Sequence, residues 1–434
     1  MNIIVLSTTD TGGAGLFAYR LHSSFCRRKI NSYLIVKDKN VKDHKTIQAS
    51  KPFFISLIYD IIEYFLELCL PQYKTNSKYS FFTRFESFSK YPAKYIINCM
   101  PYKPDIILVG WVSGFVNFKT IYKLQKKTGA KIVFYFTDMG MMTGGCHYDM
   151  FCNGYVSDCK NCPAILNQLS KNRAYRNLNI RKKYINLLDF YVFPGTKTLE
   201  TQTNQSYLYR NKKLFECTNI PINKEIFNDK LRTEARKILS VPLDKRVILI
   251  GASSLNDERK GIIHLIDALD FLQKNYSNLV DEITLLIIGS NIPREFDRLL
   301  QCYNFKNLNI VQDEILLSIT YQAADIFVCP SIYDSGPMMV VESLMCGTPV
   351  VSFSVGISNE FVINKKTGYR AENFSSKDLA IGIYNILCLT RDEYKQMRIN
   401  CINYTSKYCA EDVVINKVVK NLEESCLPIY TSKK

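Results

Sequence analysis

The chain has 434 residues, of which 47% are hydrophobic and 22% are charged, and its formal net charge at pH 7 is +16. This composition excludes an intrinsically disordered protein, and the length exceeds what one hydrophobic core usually holds, so we expect two domains. The positive charge suits an anionic membrane surface or an acidic substrate better than nucleic acid, because Lys and Arg are scattered and no nucleic-acid-binding motif appears.

The start of the chain and its cysteines indicate a cytoplasmic location. Met1 leads directly into a predicted strand, without the basic region and cleavage site of a signal peptide, and no apolar run is long enough to span a bilayer. The chain has 15 cysteines, most of them single within apolar segments, which is typical of buried thiols in a reducing compartment. We therefore expect a cytoplasmic protein, with peripheral attachment to the inner face of the membrane as an alternative.

A glycine-rich turn follows the first predicted strand. Residues 2–7 (NIIVLS) predict the strand, residues 8–15 (TTDTGGAG) the turn, and residues 16–27 a helix with apolar periodicity. Gly12 and Gly13 would let backbone amides approach an anion or a sugar, although glycines also serve ordinary tight turns. The turn lacks the spacing G-x-G-x-x-G, so we do not predict a nicotinamide site.

Residues 52–70 (PFFISLIYDIIEYFLELCL) predict an unusually apolar helix. The polar residues Ser56, Asp60, Glu63 and Glu67 recur at helical spacing and form one narrow stripe. We expect this helix to pack against its own domain. The alternative is a surface for a membrane or a lipid-linked molecule, against which the acidic character of the stripe argues.

A cysteine-rich segment follows two further predicted strands, residues 105–111 (DIILVGW) and 131–137 (KIVFYFT). Its cysteines have the spacing C-x5-C-x6-C-x2-C and are Cys146, Cys152, Cys159 and Cys162. Four thiolates in a short loop are typical of a structural zinc site, but the spacing is not that of a standard zinc finger. A structural zinc ion and a loop of free thiols therefore stay open as alternatives.

The pattern of strand, polar loop and helix restarts after residues 219–227 (NIPINKEIF), which predict an interdomain linker. Residues 246–251 predict a strand, and the polar loop after it ends in Arg259, Lys260 and Gly261. Because this loop follows a strand, its cations are better candidates for binding an anion than a solvated surface pair is.

Residues 329–351 (CPSIYDSGPMMVVESLMCGTPVV) give the strongest functional signal. A buried strand leads into a loop with Asp334, Ser335 and Gly336, and a helix follows that contains Glu342. The loop at the helix N-terminus can hold a phosphate, and Glu342, about 12 Å further along the axis, can accept hydrogen bonds from ribose hydroxyls. The alternative is a helix-capping Asp and a surface Glu.

The last segment resembles the E-x7-E signature of retaining glycosyltransferases of family 4, which have the GT-B fold. Asp334 stands where the family has the first Glu, and Glu342, Gly347, Thr348 and Pro349 match in place. The resemblance implies that Asp334 orients the donor sugar, that Glu342 binds the ribose, and that Lys260 with Arg259 neutralises the donor diphosphate. It also implies that Gly12 and Gly13, in the family's GGA turn, contact donor phosphate and acceptor, and that catalysis requires no metal.

The cysteine-rich segment resembles a subgroup of that family found in capsule, exopolysaccharide and colanic-acid pathways, whose members read roughly HDxWxxTGGCHY and then CxxCP. The matching residues are Asp138, Thr143, Gly144, Gly145, Cys146, His147, Tyr148, Cys152, Cys159, Cys162 and Pro163. Thr137 stands where the subgroup has a His that is expected to contact the transferred sugar. Asp138 is retained, and His147 is a candidate to replace the missing imidazole.

The resemblance covers nearly the whole chain and implies an α/β protein of the GT-B fold, with two Rossmann-like domains facing across a cleft. We predict an N-terminal acceptor-side domain at residues 1–213 with a cysteine-rich loop at 143–163, a C-terminal nucleotide-sugar-binding domain at 214–410, and a terminal helix at 411–434 that crosses back to the first domain.

The implied activity is transfer of a sugar, with retention, from a nucleotide-diphosphate sugar to a saccharide acceptor, free or lipid-linked, in surface polysaccharide biosynthesis. The alternative is a non-catalytic sugar-nucleotide-binding or partner protein with a degenerate site, motivated by Thr137 and by the absence of a His near Gly110.

Overall fold

The structure, a computed structural model, describes residues 1–69, 74–83 and 85–426. It divides into two compact units: domain 1 comprises Met1–Asn219 and Ile415–Lys434, and domain 2 comprises Ile220–Val414. Both boundaries fall a few residues after the predicted ones. The terminal helix, Glu411–Cys426, begins in domain 2 and ends in domain 1.

Domain 1 contains a six-stranded parallel sheet. Its strands are β1 (Asn2–Thr9), β2 (Asn31–Asp38), β3 (Thr46–Gln48), β4 (Ile106–Val109), β5 (Lys131–Phe136) and β6 (Phe190–Pro194). Its helices are α1 (Gly12–Arg27), α2 (Phe53–Cys69), α3 (Ala93–Asn98), α4 (Phe118–Thr128), α5 (Arg173–Ile185) and α6 (Lys197–Gln205). Short 3₁₀ turns lie at Ser77–Tyr79, Gly154–Val156 and Gln168–Ser170.

Domain 2 contains a second six-stranded parallel sheet. Its strands are β7 (Arg246–Ser254), β8 (Ile283–Ser290), β9 (Asn304–Asn307), β10 (Ile326–Cys329), β11 (Val350–Phe353) and β12 (Gly368–Ala371). The helices are α7 (Arg232–Ile238), α8 (Ile262–Asn275), α9 (Ser277–Val280), α10 (Asp297–Leu300), α11 (Glu314–Ala323), α12 (Met338–Met345), α13 (Ser358–Phe361), α14 (Ser376–Leu387) and α15 (Arg391–Cys409), and the terminal helix α16 (Glu411–Cys426) starts here and continues into domain 1. Two 3₁₀ turns lie at Glu258–Lys260 and Arg294–Phe296.

The two sheets have the same topology. Their strand orders are β3-β2-β1-β4-β5-β6 and β12-β11-β10-β7-β8-β9, and both correspond to the order 3-2-1-4-5-6 of Rossmann folds. The first strand of each sheet is an uninterrupted apolar run, Ile3 to Leu6 in β1 and Val247 to Ile250 in β7, whose side chains are fully buried. Helices on both faces of a parallel sheet require such runs, and the predicted α/β class is confirmed.

The expectation that α2 packs into its own domain is wrong for most of its surface. None of its residues from Phe53 to Leu66 is buried. The side chains of Asp60 and Glu63, in the predicted polar stripe, form ion pairs with Lys90. The side chain of Glu67, the last member of that stripe, lies outside the described residues.

Candidate functional site

Domain 2 brings Arg259 and Lys260 to the loop that contains Asp334. The two cations lie in the 3₁₀ turn after β7, and Asp334 follows β10. Strands β7 and β10 are parallel neighbours, with Leu249 opposite Phe327. Because the carboxyl ends of parallel neighbours lie at one edge of the sheet, the loops that follow them meet there.

Asp334 is the centre of this cluster. Its Oδ2 atom lies 2.6 Å from Nζ of Lys260 and 3.9 Å from Nη1 of Arg259, and Arg259 also pairs with Asp257 at 2.5 Å. Burial alone would raise the pKa of Asp334. The attraction of Lys260 and then Arg259, with hydrogen bonds from Lys260 and the Gly336 amide, outweighs burial and lowers that pKa below its usual value. The carboxylate is therefore ionised at neutral pH and held between two cations.

Gly261 makes the approach of the two loops possible. Its φ angle is +63°, and a Cβ atom at this position would lie 2.1 Å from the carbonyl oxygen of Pro330. The Ile332 amide donates to the Arg259 carbonyl at 2.8 Å, which ties the loop after β10 to the turn after β7. A larger residue at 261 would displace the turn and separate Lys260 from Asp334.

Helix α12 begins immediately after this cluster. Pro337, with φ −64°, precedes its first residue, as expected for a residue without a backbone donor. No side chain caps the helix, and Asp334 instead accepts a hydrogen bond from the Gly336 amide at 3.2 Å. Ser335 is buried in the same loop. The alternative in which Asp334 serves as a helix cap is therefore wrong.

Glu342 lies inside α12 and is only 1% exposed. The hydroxyl of Tyr321, a buried residue of α11, donates to its Oε2 atom at 2.7 Å. The alternative of a surface Glu is therefore wrong as well. A carboxylate in the core of a domain is costly unless it has partners, so this position has a structural or binding role rather than a solvated one.

Domain 1 contains a second polar cluster, which lines a cavity of about 150 Å³. Thr137 and Asp138 follow β5, Trp111 follows β4, and His147 comes from the cysteine-rich segment; all four side chains line the cavity. Glu63 of α2 and Lys90 form another part of its wall. The structure thus brings the two predicted residues Asp138 and His147 together and adds Trp111, which the sequence did not single out as a site residue.

One nitrogen of His147 faces both of its polar neighbours. Nδ1 of His147 lies 2.7 Å from Oδ2 of Asp138 and 2.8 Å from Nε1 of Trp111. The indole N–H can only donate, whereas the carboxylate accepts when ionised. Nδ1 therefore cannot serve both partners with one proton, and the position of the proton decides which hydrogen bond forms.

A buried ion pair positions the segment that carries Asp138 and His147. Arg181 of α5 pairs with Glu86 at 2.9 Å, and its guanidinium also donates to the carbonyls of Gly140 and Thr143 at 2.5 and 2.6 Å. Burial raises the pKa of Glu86, although Arg181 acts in the opposite direction. The amide of Asn177 donates to the Gly144 carbonyl at 3.0 Å. These contacts hold a segment without regular secondary structure in one conformation.

The four cysteines of that segment are not joined by disulfides in this structure. In the described ranges, no three His, Cys, Asp or Glu side chains are placed to hold a metal ion, and all four thiols are free. Cys146, Cys159 and Cys162 are buried, whereas Cys152 is exposed. A hydrogen bond from Cys146 lowers the pKa of Cys162 to about 7. A structural zinc ion at these cysteines stays a prediction from their spacing.

Gly12 and Gly13 form the first turn of α1, at the carboxyl end of β1. Gly12 has φ +70°, and a Cβ atom at either glycine would meet no other atom within 4 Å. Open space next to the amides of a helix N-terminus is what binding of an anion or a sugar requires. Neither glycine lines the cavity of Asp138 and His147.

Most of domain 2 matches a known family model. Residues 232–407 match the family model of glycosyl transferases group 1. The D-inositol 3-phosphate glycosyltransferase of Xylanimonas cellulosilytica is 28% identical over 145 residues, which is 32% of this chain and 33% of that protein. The matched segment thus spans about one third of that curated relative.

Solved structures resemble the whole chain in fold. Sucrose-phosphate synthase from Thermosynechococcus elongatus has a TM-score of 0.67 at 16% identity, covering 98% of this chain and 99% of that one. HepE from Anabaena, solved with UDP and glucose, has a TM-score of 0.65 at 14% identity, covering 98% and 99%. At these identities the likeness establishes the fold, and the predicted GT-B fold is confirmed.

Proposed function

We propose that the protein is a retaining glycosyltransferase that transfers a sugar from a nucleotide-diphosphate donor to a saccharide in surface polysaccharide biosynthesis. The observation that carries the proposal is the cluster of Lys260, Arg259 and Asp334 at the carboxyl edge of the domain 2 sheet. It lies in the segment that matches group 1 glycosyltransferases. A paired carboxylate between two cations at the end of a Rossmann sheet suits a ligand that carries both phosphate and hydroxyl groups.

The cations would act on the leaving group. When the glycosidic bond to the donor breaks, negative charge develops on the diphosphate, and preorganised positive groups stabilise that charge in the transition state. Lys260 and Arg259 would take this role, assisted by the amides of Ser335 and Gly336 before α12. Because cationic side chains supply this stabilisation, the proposed reaction requires no catalytic metal.

Two carboxylates would position the rest of the donor. Asp334, which Lys260 holds at 2.6 Å, would accept hydrogen bonds from the sugar hydroxyls. Glu342 would accept them from the ribose, and because it is 1% exposed, this role requires α12 or Tyr321 to shift when nucleotide binds. HepE has been solved in complex with UDP and with UDP-glucose, which supports a nucleotide sugar as the donor class here.

Domain 1 would bind the acceptor. The cavity of Asp138 and His147 offers a carboxylate, an imidazole and aromatic surface, which is the combination that binds sugars: hydroxyls are hydrogen-bonded and ring faces are stacked. His147 would supply the imidazole that is missing because Thr137 stands in place of a His. Gly12 and Gly13 would present amides to the acceptor or the donor phosphate. The acceptor is a saccharide, free or linked to a lipid.

The test is turnover of a panel of nucleotide sugars by the purified chain, measured as released nucleotide diphosphate with and without saccharide acceptors. We expect release by the wild type and its loss in Lys260→Ala and Glu342→Ala, with an unchanged anomeric configuration in the product by NMR. Binding of nucleotide without turnover of any donor would instead identify a non-catalytic sugar-nucleotide-binding protein. Inversion at the anomeric carbon would contradict the retaining mechanism alone.

A further inference from the structure

Helix α2 exposes large apolar side chains along its whole described length. Phe53 and Phe54 are 76% and 77% exposed, and six more are exposed on the same helix: Leu57, Ile58, Ile61, Ile62, Tyr64 and Phe65. At 3.6 residues per turn these eight side chains fall on about half of the helix circumference. Single exposed apolar residues are common on protein surfaces, but a continuous apolar face of this size marks a surface that binds something.

The other half of α2 contacts domain 1. Tyr59 packs on Phe88 with ring centroids 5.7 Å apart, and Lys90 pairs with Asp60 at 2.9 Å and with Glu63. Lys90 therefore offsets part of the negative charge of Asp60 and Glu63. Glu63, on this half, also lines the cavity of Asp138 and His147. The negative charge of the stripe, which argued against an anionic partner at the level of sequence, is therefore partly offset in the structure.

Positive charge lies at the start of the same helix. Residues 50–52 immediately precede α2, and together with Lys94 and Asn98 of the α3 region they line a surface hollow of about 470 Å³. Lys94 is exposed, and the ammonium of Lys51 lies 4.6 Å from the ring centre of Tyr91. A hollow with two lysines next to an apolar helix face is complementary to a surface that has anionic groups on its outside and an apolar layer beneath them.

We propose that the exposed face of α2 docks onto an anionic lipid bilayer, with the helix lying in the plane of the interface. The eight apolar side chains would enter the boundary between headgroups and acyl chains, and Lys51 and Lys94 would contact lipid phosphates. The helix has 17 residues, about 25 Å at 1.5 Å each, and no helix in the described part of the chain is long and apolar enough to cross a bilayer. Interfacial binding is the mode that fits this length and this distribution of side chains.

The proposal that α2 docks onto a bilayer does not depend on the proposed activity. One consequence does rest on the proposed function: if the acceptor is lipid-linked, docking through α2 would place the cavity lined by Glu63 next to the membrane that holds that acceptor.

The direct test is co-sedimentation of the purified full chain with vesicles of phosphatidylcholine, with and without phosphatidylglycerol. We expect binding to both, tighter to the anionic vesicles, and we expect added salt to remove only the difference between them, because salt screens charge and leaves apolar insertion intact. No sugar donor is present, so failure to bind leaves the transferase proposal standing, and failure of transfer leaves the docking proposal standing.

A double variant with a matched control tests the face itself. Phe53→Ser with Phe54→Ser should weaken vesicle binding about a hundredfold, because the variant lacks the two apolar rings that would move from water into the bilayer on binding. Leu166→Ser with Leu169→Ser removes two side chains of domain 1 that are 56% and 83% exposed but lie outside α2, and it should bind like the wild type. Thermal unfolding of both variants should match the wild type, since all four side chains are largely exposed.

The charge component has a test of its own. Lys94→Glu should weaken binding to anionic vesicles about tenfold and leave binding to pure phosphatidylcholine unchanged, since a juxtamembrane Lys contributes on the order of 1 kcal/mol only at a negative surface. Equal vesicle binding by the Phe53/Phe54 variant and the wild type would overturn the proposal. It would also be overturned if the wild type ignored vesicles and sedimented as a dimer that this variant abolished, because the face would then join two copies of the chain.

Discussion

The two domains share one strand order but carry clusters of different chemistry at the carboxyl ends of their strands. In domain 2, Lys260 and Arg259 surround a buried carboxylate, Asp334. In domain 1, Nδ1 of His147 lies within hydrogen-bond distance of both Asp138 and Trp111. The fold determines where the clusters form, and the loops after the strands determine their chemistry. Under the proposed function, this difference corresponds to a division of labour, with the anionic diphosphate in domain 2 and a neutral saccharide in domain 1.

Of the predicted changes, removal of Lys260 should have the largest effect on sugar transfer. We expect Lys260→Ala to lower kcat about a thousandfold, as expected for loss of a preorganised charge that stabilises the transition state. Nucleotide affinity, measured by titration calorimetry, should fall as well. Lys274→Ala is the matched control, because Lys274 is an exposed lysine of α8 that also pairs with an Asp, Asp270. A change in kcat of less than twofold in Lys260→Ala would show that domain 2 does not neutralise the leaving group.

Mild acid should destabilise domain 1 through the buried side chain of His22. In domain 1, burial lowers the pKa of His22 to about 4, although Asp43 acts against the shift. Unfolded His22 takes up a proton below about pH 6.5, whereas the folded form stays neutral, so the unfolded state binds more protons and stability falls as the pH falls from 6.5 towards 4. Asp334 in domain 2 has a lowered pKa, so its contribution is lost only as the pH falls below the usual range of Asp.

The expected loss is about 2 kcal/mol of domain 1 unfolding free energy between about pH 7.5 and pH 5. The chain has one tryptophan, Trp111, so its fluorescence during urea unfolding reports on domain 1. His22→Gln retains a donor and an acceptor near Ser32, whose hydroxyl lies 2.8 Å from Nδ1 of His22, and should flatten this pH dependence. An unchanged slope in His22→Gln would assign the acid sensitivity to another group.

The fold could be predicted because its strands are apolar runs of β-forming residues that end at glycines or polar loops. β1 and β7 are such runs, and the turn with Gly12 and Gly13 starts a helix immediately after β1. The exposure of α2 could not be predicted in the same way. Helix α12 is apolar too, yet six of its eight residues are buried, whereas none in α2 up to Leu66 is. Composition alone does not distinguish an apolar helix that is covered by its domain from one that is not.

The cluster of domain 2 could be predicted because family motifs mark its residues, and neighbouring parallel strands bring them together. The pairing of Trp111 with His147 could not be predicted, because 36 residues separate them and no motif marks the tryptophan. A signal existed: Trp111 and Asp138 follow β4 and β5, which are neighbours in the sheet. This signal can be used only when the strand order is known, and the strand order depends on contacts between distant residues rather than on local sequence pattern.

His147→Asn should produce an intermediate effect and sharpen the proposed division of labour. Loss of the hydrogen bond between the imidazole and Asp138 should reduce transfer to the saccharide about thirtyfold, in the range expected for a hydrogen bond to a charged group. Nucleotide affinity should stay that of the wild type, unlike in Lys260→Ala. A parallel loss of nucleotide affinity in His147→Asn would mean that the two clusters do not act on separate ligands.

Trp111→Phe should have the smallest effect and tests which partner Nδ1 of His147 uses. The phenyl ring retains most of the contact with the imidazole, whose centroid lies 5.4 Å from that of the indole, but it removes the Nε1–H donor. Loss of one neutral hydrogen bond should reduce transfer about fivefold, and it leaves Asp138 as the partner of Nδ1. An unchanged rate of transfer in Trp111→Phe would indicate that the indole supports the cavity by packing alone, and that His147 is already bound to Asp138 in the wild type.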